Sequence, residues 1–450
     1  MSFSAEREEV SRGARTAILV PELAAASRSA DRRDRDARME EAEGLALAIG
    51  LDVVARQYFT VRKANPATLF GKGQVETAAH LVEDNSIELV VVDGALTPIQ
   101  QRNLETAIKA KVIDRTALIL EIFGERAATA EGRLQVELAH LDYQQGRLVR
   151  SWTHLERQRG GFGFLGGPGE TQIEADRRMI RDRMARLRKS LEDVRRTRSL
   201  HRERRRRAPW PVVALVGYTN AGKSTLFNRL SDSAVMAEDL LFATLDPTMR
   251  QIPVEGLGKV ILSDTVGFVS DLPTQLVAAF RATLEEVLAA DLLLHVRDIS
   301  HPDSGAQRAD VLSVLGGLGI GPEADEKLVA EGVIQPPIVE VHNKIDLLSS
   351  DLRDEAEATA QRDGAIAVSA LTGQGVANLI DQLSQLLGGQ EVERDLSVPF
   401  TDGKLVAWLH QHSQIVSEQA DADNGQSHFR VKLSVANSAR LSKLLSEVIT

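Results

Sequence analysis

The chain has 450 residues, of which 43% are hydrophobic and none is cysteine. This length suits about three domains, and the missing cysteines exclude disulfides and thiolate metal sites. No segment approaches the roughly 18 uninterrupted apolar residues of a membrane span. The N-terminus, Met1 to Glu9, is charged and has no apolar signal core. These features predict a cytoplasmic protein without a membrane span.

The formal net charge of −10 conceals a strongly basic segment. Between Arg177 and Arg207 there are fourteen arginines and one lysine against four acids, a net charge of +11, so the rest of the chain carries −21. An acidic protein with one dense basic segment is typical of a local contact with a polyanion. The alternative is a helix whose arginines simply face water.

Residues 1–130 alternate short apolar runs with helical patterns, which predicts an N-terminal α/β domain. Strands are expected at 17–20, 51–55 and 89–92, and helices at 38–49 and 98–110. Gly71-Lys72-Gly73 opens a further helix. Such a sequence could bind an anion at the helix N-terminus, but an ordinary helix start is the favoured interpretation.

Residues 131–207 carry two heptad-like apolar stripes on either side of a glycine-rich segment, Gly160 to Gly169. The pattern predicts a helical hairpin with a glycine-rich tip. Phe162 and Phe164 lie in this tip beside Arg157 and Arg159. They could stack on RNA bases, or they could fold back into the hairpin; the sequence leaves both open.

Residues 208–390 contain a phosphate-binding pattern between a strand and a helix. An apolar run from Pro211 to Val216 precedes Gly217-Tyr218-Thr219-Asn220-Ala221-Gly222-Lys223-Ser224-Thr225, and a helical pattern follows. In this setting G-x-x-x-x-G-K-[ST] wraps backbone N–H groups around phosphates. Lys223 is expected at the β and γ phosphates, and the Ser224 hydroxyl on Mg²⁺.

Three further motifs follow in the order that a GTPase needs. Asp264-Thr265-Val266-Gly267 ends a strand-like run, and its Asp can hold Mg²⁺ through water while the Gly267 N–H senses the γ-phosphate. In Asn343-Lys344-Ile345-Asp346, the Asp346 carboxylate can accept from guanine N1–H and its amine, which adenine lacks. A backbone N–H of Ser369-Ala370-Leu371 can meet the guanine carbonyl. The implied fold is a doubly wound α/β sheet.

Two positions in this domain leave questions open. Thr244 and Thr248 are both candidates for a further magnesium ligand, and either could instead cap a turn. Phe268 follows Gly267, where Ras-type enzymes carry a glutamine that orients water. Phenylalanine cannot do this, so another residue or a partner must complete the site, although Phe268 can also simply contribute to packing.

Residues 391–450 are predicted to form a small α+β C-terminal domain. Strands at 413–416 and 429–433 flank the turn signal Asp423-Asn424-Gly425. Helices are expected at 404–412 and 438–449. No catalytic constellation is present in this segment.

The chain resembles the HflX family of ribosome-associated GTPases over nearly its whole length. The specific marks are GGFGFLGGPGETQ from Gly160, GYTNAGKS from Gly217, FATLDPT from Phe242 and DTVGF from Asp264. The resemblance implies guanine nucleotide binding with Mg²⁺ on Ser224 and Thr244, and catalytic roles for Lys223, Thr244 and Gly267. It adds Phe242, Ala243, Thr244, Leu245 and Asp246 to the nucleotide-binding candidates.

The resemblance also implies a partner, the large ribosomal subunit with its RNA, and a role in splitting or rescuing ribosomes under stress. Slow intrinsic turnover with acceleration on the ribosome is expected, and the protein is expected to be a monomer. Related potassium-dependent GTPases carry an asparagine at the position of Asn220, which suggests K⁺ as a second cation; the alternative is an asparagine that stabilises the loop itself. Alternatives are a ribosome-binding module with incidental hydrolysis, and ATP-dependent RNA remodelling by the N-terminal domain.

Overall fold

The computed structural model of the chain describes residues 12–23, 33–158, 168–206, 210–231, 241–242, 248–255, 257–270, 286–322, 336–388, 391–400, 403–421, 425–434 and 441. Among the helices in these ranges, none combines the length and apolar character that a membrane crossing needs.

The N-terminal sheet is parallel and has the order β2-β1-β3-β4, with β1 (Arg15–Leu23), β2 (Asp52–Val61), β3 (Leu89–Val92) and β4 (Lys111–Asp114). Its two faces are covered by α1 (Arg35–Ala48), α2 (Lys72–Asp84), α3 (Pro98–Ile108) and α4 (Arg115–Arg126). Side chains alternate along a strand. Ala17 and Leu19 therefore join the apolar cluster beneath α2 and α3, and Ile18 and Val20 join the cluster beneath α1 and α4.

Two long helices, α5 (Ala130–Gln158) and α6 (Pro168–Arg206), follow this sheet and contact each other. Met184, Leu187 and Leu191 form the buried face of α6. Glu137 on α5 pairs with Arg183 on α6, with 2.7 Å between Oε1 and Nη2. The glycine-rich tip with Phe162 and Phe164 lies outside the described residues.

Asp114, at the end of β4, joins α5 to the N-terminal sheet. Its Oδ1 caps α4 by accepting from the Ala117 N–H at 2.9 Å, and it also accepts from the Tyr143 hydroxyl at 2.8 Å. Arg147 donates to Oδ2 at 3.3 Å. Burial raises the pKa of Asp114, although these donors oppose the shift.

The second sheet has the order β10-β9-β8-β5-β7-β6, with β5 (Val212–Gly217), β6 (Thr248–Val254), β7 (Gly258–Asp264), β8 (Leu292–Asp298), β9 (Ile338–Asn343) and β10 (Ile366–Ala367). Only the edge pairing of β6 with β7 is antiparallel among these strands. The described helices are α7 (Lys223–Ser231), α8 (Ser304–Gly316), α9 (Ser350–Asp363) and α10 (Val376–Gly388). This is the doubly wound sheet that the motifs predict.

The C-terminal sheet is antiparallel with the order β11-β13-β12, formed by β11 (Glu391–Pro399), β12 (Gln414–Asp421) and β13 (Gln426–Ser434). Helix α11 (Gly403–His412) buries Leu405 and Leu409 against Phe429 and Val431. The helix expected at 438–449 falls almost entirely outside the described residues. The predicted α/β fold class, with its helical region and C-terminal α+β domain, is confirmed.

The N-terminal sheet and the second sheet share one apolar core. A single buried cluster contains residues beneath α1 and α4 together with Leu241, Phe242, Val266, Phe268 and Val269 of the second domain. The ring of Phe123 on α4 meets the ring of Phe242 edge to face, with 4.7 Å between the centroids. The two domains are therefore packed as one body at this surface.

A buried polar cluster lies in the same contact, centred on the Glu41 carboxylate of α1. The Tyr218 hydroxyl, in the loop after β5, donates to Glu41 Oε1 at 2.8 Å, and Arg115 Nη2 donates to the same oxygen at 2.7 Å. The Ser270 N–H donates to the Tyr218 oxygen at 2.7 Å, and Ser270 Oγ accepts from Arg115 at 2.7 Å.

Two members of this cluster, Tyr218 and Arg115, have raised pKa values and keep their protons. Burial and the neighbouring Glu41 raise the pKa of Tyr218 above its usual value, so the phenol stays protonated and remains a donor. Burial lowers the pKa of Arg115, but the Glu41 and Asp93 carboxylates outweigh this and the net shift is upward. Arg115 also donates to Asp93 at 2.5 Å, so it bridges two carboxylates.

We expect Tyr218→Phe to weaken the contact between the two domains. The variant removes the acceptor of the Ser270 N–H inside a buried contact, which costs about 1–3 kcal/mol. Hydrogen exchange at the Ser270 amide should accelerate, and the thermal midpoint of the full chain should fall. Tyr58→Phe is the matched control, because the Tyr58 hydroxyl donates to the Arg35 carbonyl within the N-terminal domain. Unchanged exchange at Ser270 would contradict the expected role of the phenol.

Candidate nucleotide-binding site

The predicted phosphate loop connects β5 to α7, and two of its glycines are required by geometry. A Cβ on Gly217 would lie 2.2 Å from the Val296 carbonyl oxygen, and one on Gly222 would lie 2.2 Å from Asn343 Nδ2. Both glycines have positive φ, +151° and +90°. Helix α7 begins at Lys223, so the N–H groups of its first turn lie at the end of the loop. An anion is favoured at this position.

Lys223 is buried at the start of α7. Its Nζ donates to the Tyr218 carbonyl at 2.7 Å. Burial lowers the pKa of Lys223 to about 8, and only Asp264 opposes the shift. A phosphate beside the ammonium would raise this pKa again, because a neighbouring opposite charge favours the ionised form.

Ser224 and Asp264 supply neighbouring oxygen atoms at the base of the loop. The Ser224 hydroxyl donates to Asp264 Oδ2 at 2.7 Å, and Asp264 is fully buried at the end of β7. Hydroxyl and carboxylate oxygens suit Mg²⁺, so these residues fit the ion that the sequence predicts. Ala243, Thr244, Leu245 and Asp246 lie outside the described residues, and so does any contact of Thr244.

The segment after β7 lies directly against the phosphate loop. The Thr219 N–H donates to the Phe268 carbonyl at 2.7 Å, and the Phe268 N–H donates to the Gly217 carbonyl at 3.1 Å. A Cβ on Gly267 would lie 2.8 Å from the Thr219 Cα, a backbone atom, so only glycine permits this approach. The Phe268 side chain is buried in the core shared with the N-terminal domain. It brings no polar atom to the phosphate loop.

Asn343 connects the phosphate loop to the loops predicted to bind the base. At the end of β9, its Nδ2 donates to the Ala221 carbonyl at 2.8 Å and its Oδ1 accepts from the Ala370 N–H at 2.9 Å. Asn343 therefore braces these two loops against each other. Lys344 has a left-handed backbone, φ +66°, and its Nζ lies 2.8 Å from Asp298 Oδ2.

Asp346 lies in a short 3₁₀ turn, Ile345–Leu347, and is half-buried. In the neighbouring loop, Ser369 and Ala370 are buried and Leu371 is 69% exposed. The Thr372 N–H donates to Ser369 Oγ at 3.0 Å, which closes the loop tightly.

The structure thus gathers the described candidate residues at the carboxyl edge of β5, β7, β9 and β10. Two contributors were not found from sequence. Arg229 on α7 donates from Nε to the Ala370 carbonyl at 3.1 Å and from Nη2 to the Leu371 carbonyl. Asp298 holds Lys344. Neither residue belongs to a recognisable motif, because each acts through a loop distant in sequence.

Among solved structures, the chain is similar to a GTP-binding protein from the hyperthermophilic archaeon Sulfolobus solfataricus in complex with GDP. The match covers 83% of this chain and 98% of that one, with 23% identity and a TM-score of 0.43.

Family models match most of the chain. They are "GTP-binding GTPase N-terminal" at residues 36–124, "GTP-binding GTPase Middle Region" at 126–205, "50S ribosome-binding GTPase" at 212–323 and "HflX C-terminal domain" at 354–449.

Relatives that match most of the chain are named GTPase HflX. The chain is 51% identical over 385 residues to the GTPase HflX of Magnetococcus marinus, covering 86% of each chain. It is 41% identical over 417 residues to the GTPase HflX of Escherichia coli, covering 91% of this chain and 93% of the relative. Since both matches extend over nearly the whole chain, it belongs to the GTPase HflX family.

Proposed function

We propose that this GTPase acts as a nucleotide-dependent switch on the large ribosomal subunit, where it splits or rescues ribosomes under stress. The observation that carries the proposal is the direct contact between the nucleotide loops and the N-terminal domain through Tyr218, Ser270 and Glu41. A change at the phosphates can reach a second domain through this contact. The family model named for 50S ribosome binding supports the choice of partner.

In the proposed cycle the phosphate loop, Gly217 to Thr225, binds the phosphates, and Lys223 neutralises charge on the β and γ groups. Ser224 and Thr244 would hold Mg²⁺, which would stabilise negative charge on the phosphates. Gly267 donates its N–H to the γ-phosphate. Asp346 selects guanine, and the loop from Ser369 to Leu371 meets the guanine carbonyl.

Helix α6 is the proposed RNA contact. Between residues 178 and 189 its exposed positions include Arg181, Arg186, Arg188 and Lys189, whereas Met184 and Leu187 are buried. An exposed face of cations next to a packed apolar face is suited to phosphate contacts. The proposed monomer would present this face to ribosomal RNA.

ATP-dependent remodelling by the N-terminal domain receives less support. The Gly71 N–H donates to Gln74 Oε1 at 2.9 Å, as in an ordinary helix start, and the Lys72 side chain is 94% exposed. In doubly wound sheets ligands bind at the switch point of strand order, here between the ends of β1 and β3. At that point Arg38 and Arg115 donate to Asp93 at 2.9 and 2.5 Å, so these side chains are already paired within the protein.

Asp346→Asn should lower GTP affinity by about 2–4 kcal/mol, because it breaks paired, charge-assisted hydrogen bonds to guanine. It should partly transfer preference to xanthine nucleotides, whose additional carbonyl accepts from the new amide. A fluorescent-nucleotide titration measures both effects. Asp351→Asn is the control, since Asp351 is an exposed residue on α9. If GTP binds the Asp346 variant as tightly as it binds the original protein, the assignment of Asp346 is wrong.

Hydrolysis by the isolated protein should be slow, because Phe268 cannot orient water. Adding large ribosomal subunits should raise turnover by at least about tenfold, or around 1.4 kcal/mol of barrier, and small subunits should not. If the protein alone releases phosphate as fast as it does with large subunits, the site is not incomplete.

The same assay tests K⁺ at Asn220, which we propose neutralises charge between the phosphates. Identical rates in KCl and NaCl at equal ionic strength would remove potassium from the proposal.

Replacing Arg181, Arg186 and Arg188 with glutamine should weaken ribosome binding and flatten its salt dependence. The log–log slope should fall by about 0.7–0.9 for every phosphate that the variant no longer neutralises. Phe162→Ala with Phe164→Ala should lower affinity with little change in slope, because stacking releases no counterions. Pelleting across a salt series distinguishes the two, with Arg362→Gln on α9 as the control. If the arginine variant keeps the original affinity and slope, this face of α6 is only solvated.

A further inference from the structure

The peptide groups of the loop that follows β10 are held from two sides. Asn343 Oδ1 accepts from the Ala370 N–H at 2.9 Å. From the other side, the Arg229 guanidinium donates to the Ala370 carbonyl at 3.1 Å and to the Leu371 carbonyl. The planar guanidinium of Arg229 therefore holds two consecutive carbonyl groups, which both face α7.

These hydrogen bonds determine which polar groups the loop can present on the side away from Arg229. Peptide bonds are planar, and none among the described residues is cis, so the Leu371 N–H points opposite to the Ala370 carbonyl. The N–H of the following residue, Thr372, is bonded to Ser369 Oγ. On the side away from Arg229, the peptide between Ala370 and Leu371 therefore offers an N–H donor and no carbonyl oxygen.

We propose that Arg229 is a specificity-determining positioning residue, which keeps the carbonyls of Ala370 and Leu371 away from position six of the purine. The inference rests on the proposed function, in which this loop meets the base. Guanine has an acceptor oxygen at position six, and adenine has a donor amine. A loop carbonyl turned toward the base would repel guanine and accept from adenine, so holding the carbonyls on Arg229 favours guanine.

Holding these two carbonyl groups at once requires an arginine side chain. Its planar guanidinium can hold two acceptors in fixed directions, whereas a lysine ammonium is a flexible point charge. Gly373 has a left-handed backbone, φ +91°, which favours glycine at this point of the loop. Arg229 is exposed at the end of α7, outside the apolar core, so its replacement leaves the core intact.

A second arginine provides a matched comparison on the other side of the base. Arg353 on α9 donates to the Ile345 carbonyl at 3.0 Å and to the Leu348 carbonyl at 3.2 Å, and so it braces the turn that carries Asp346. Both arginines fix a pair of backbone carbonyls. Only Arg229 does so in the loop assigned to position six.

The test compares GDP, 6-thio-GDP and ADP by competition against a fluorescent GDP in the full-length protein. The thio nucleotide differs from GDP only at position six, where sulfur is a weaker acceptor than oxygen. Arg229→Lys should weaken GDP about tenfold, as expected for loss of an oriented hydrogen bond. It should change 6-thio-GDP by less than about twofold and narrow the preference for GDP over ADP. Arg353→Lys should leave the ratio of GDP to 6-thio-GDP unchanged.

If Arg229→Lys lowers the affinity for all three nucleotides equally, Arg229 only supports the loop. If it lowers none of the affinities, Arg229 has no role in nucleotide recognition. Either result overturns the inference. Asp346→Asn separates this failure from that of the proposed site. If Asp346→Asn lowers guanine binding while Arg229→Lys leaves discrimination at position six intact, only the role of Arg229 fails.

Discussion

The Glu41 carboxylate is the interaction on which the arrangement of the first two domains depends. A buried carboxylate is unfavourable unless it is paired and hydrogen-bonded, and here its partners come from both domains. Tyr218 and Ser270 reach it from the nucleotide loops, and Arg115 reaches it from α4. Moving the domains apart would leave several buried polar groups without partners at once. The contact is therefore expected to have discrete docked and undocked states rather than a range of loose positions.

The nucleotide site is organised by a different principle, in which side chains hold backbone groups of neighbouring loops. Asn343 connects the Ala221 carbonyl to the Ala370 N–H, and Arg229 and Arg353 hold the carbonyls of the loops on either side. Parallel strands bring these loops to one edge of the sheet. The side chains then determine which direction each peptide dipole faces, and in our proposal these directions decide which purine fits.

Much of this architecture could be predicted from the sequence, because the phosphate-loop glycines and the strand-end motifs are local patterns. Three strands, β8, β6 and β4, were not predicted because their sequences depart from the usual strand pattern. β8 carries His295 and Arg297 between its apolar residues, which hides its buried character, and the pKa of the buried His295 falls to about 4. β6 contains Pro253 and lies at an edge, while β4 has only four residues.

Long-range contacts were beyond the reach of sequence reasoning. Glu41 and Tyr218 are 177 residues apart, and no local pattern links an acid on one helix to a phenol in a loop of another domain. The same holds for Arg229 and Leu371, separated by 142 residues. Tyr218 could be identified as a loop residue, but its hydroxyl partner depends on how two separately folded sheets dock.

The core shared by the two domains has a consequence for any shortened form of the protein. A fragment beginning at β5 would keep every described nucleotide motif. Phe242 and Phe268, however, would lose the N-terminal domain surface against which they pack. Exposed aromatic side chains would favour self-association and would free the segment that now lies on the phosphate loop. Catalytic rates measured on such a fragment would describe a rearranged site, so the minimal unit of this enzyme's chemistry extends back to the first strand.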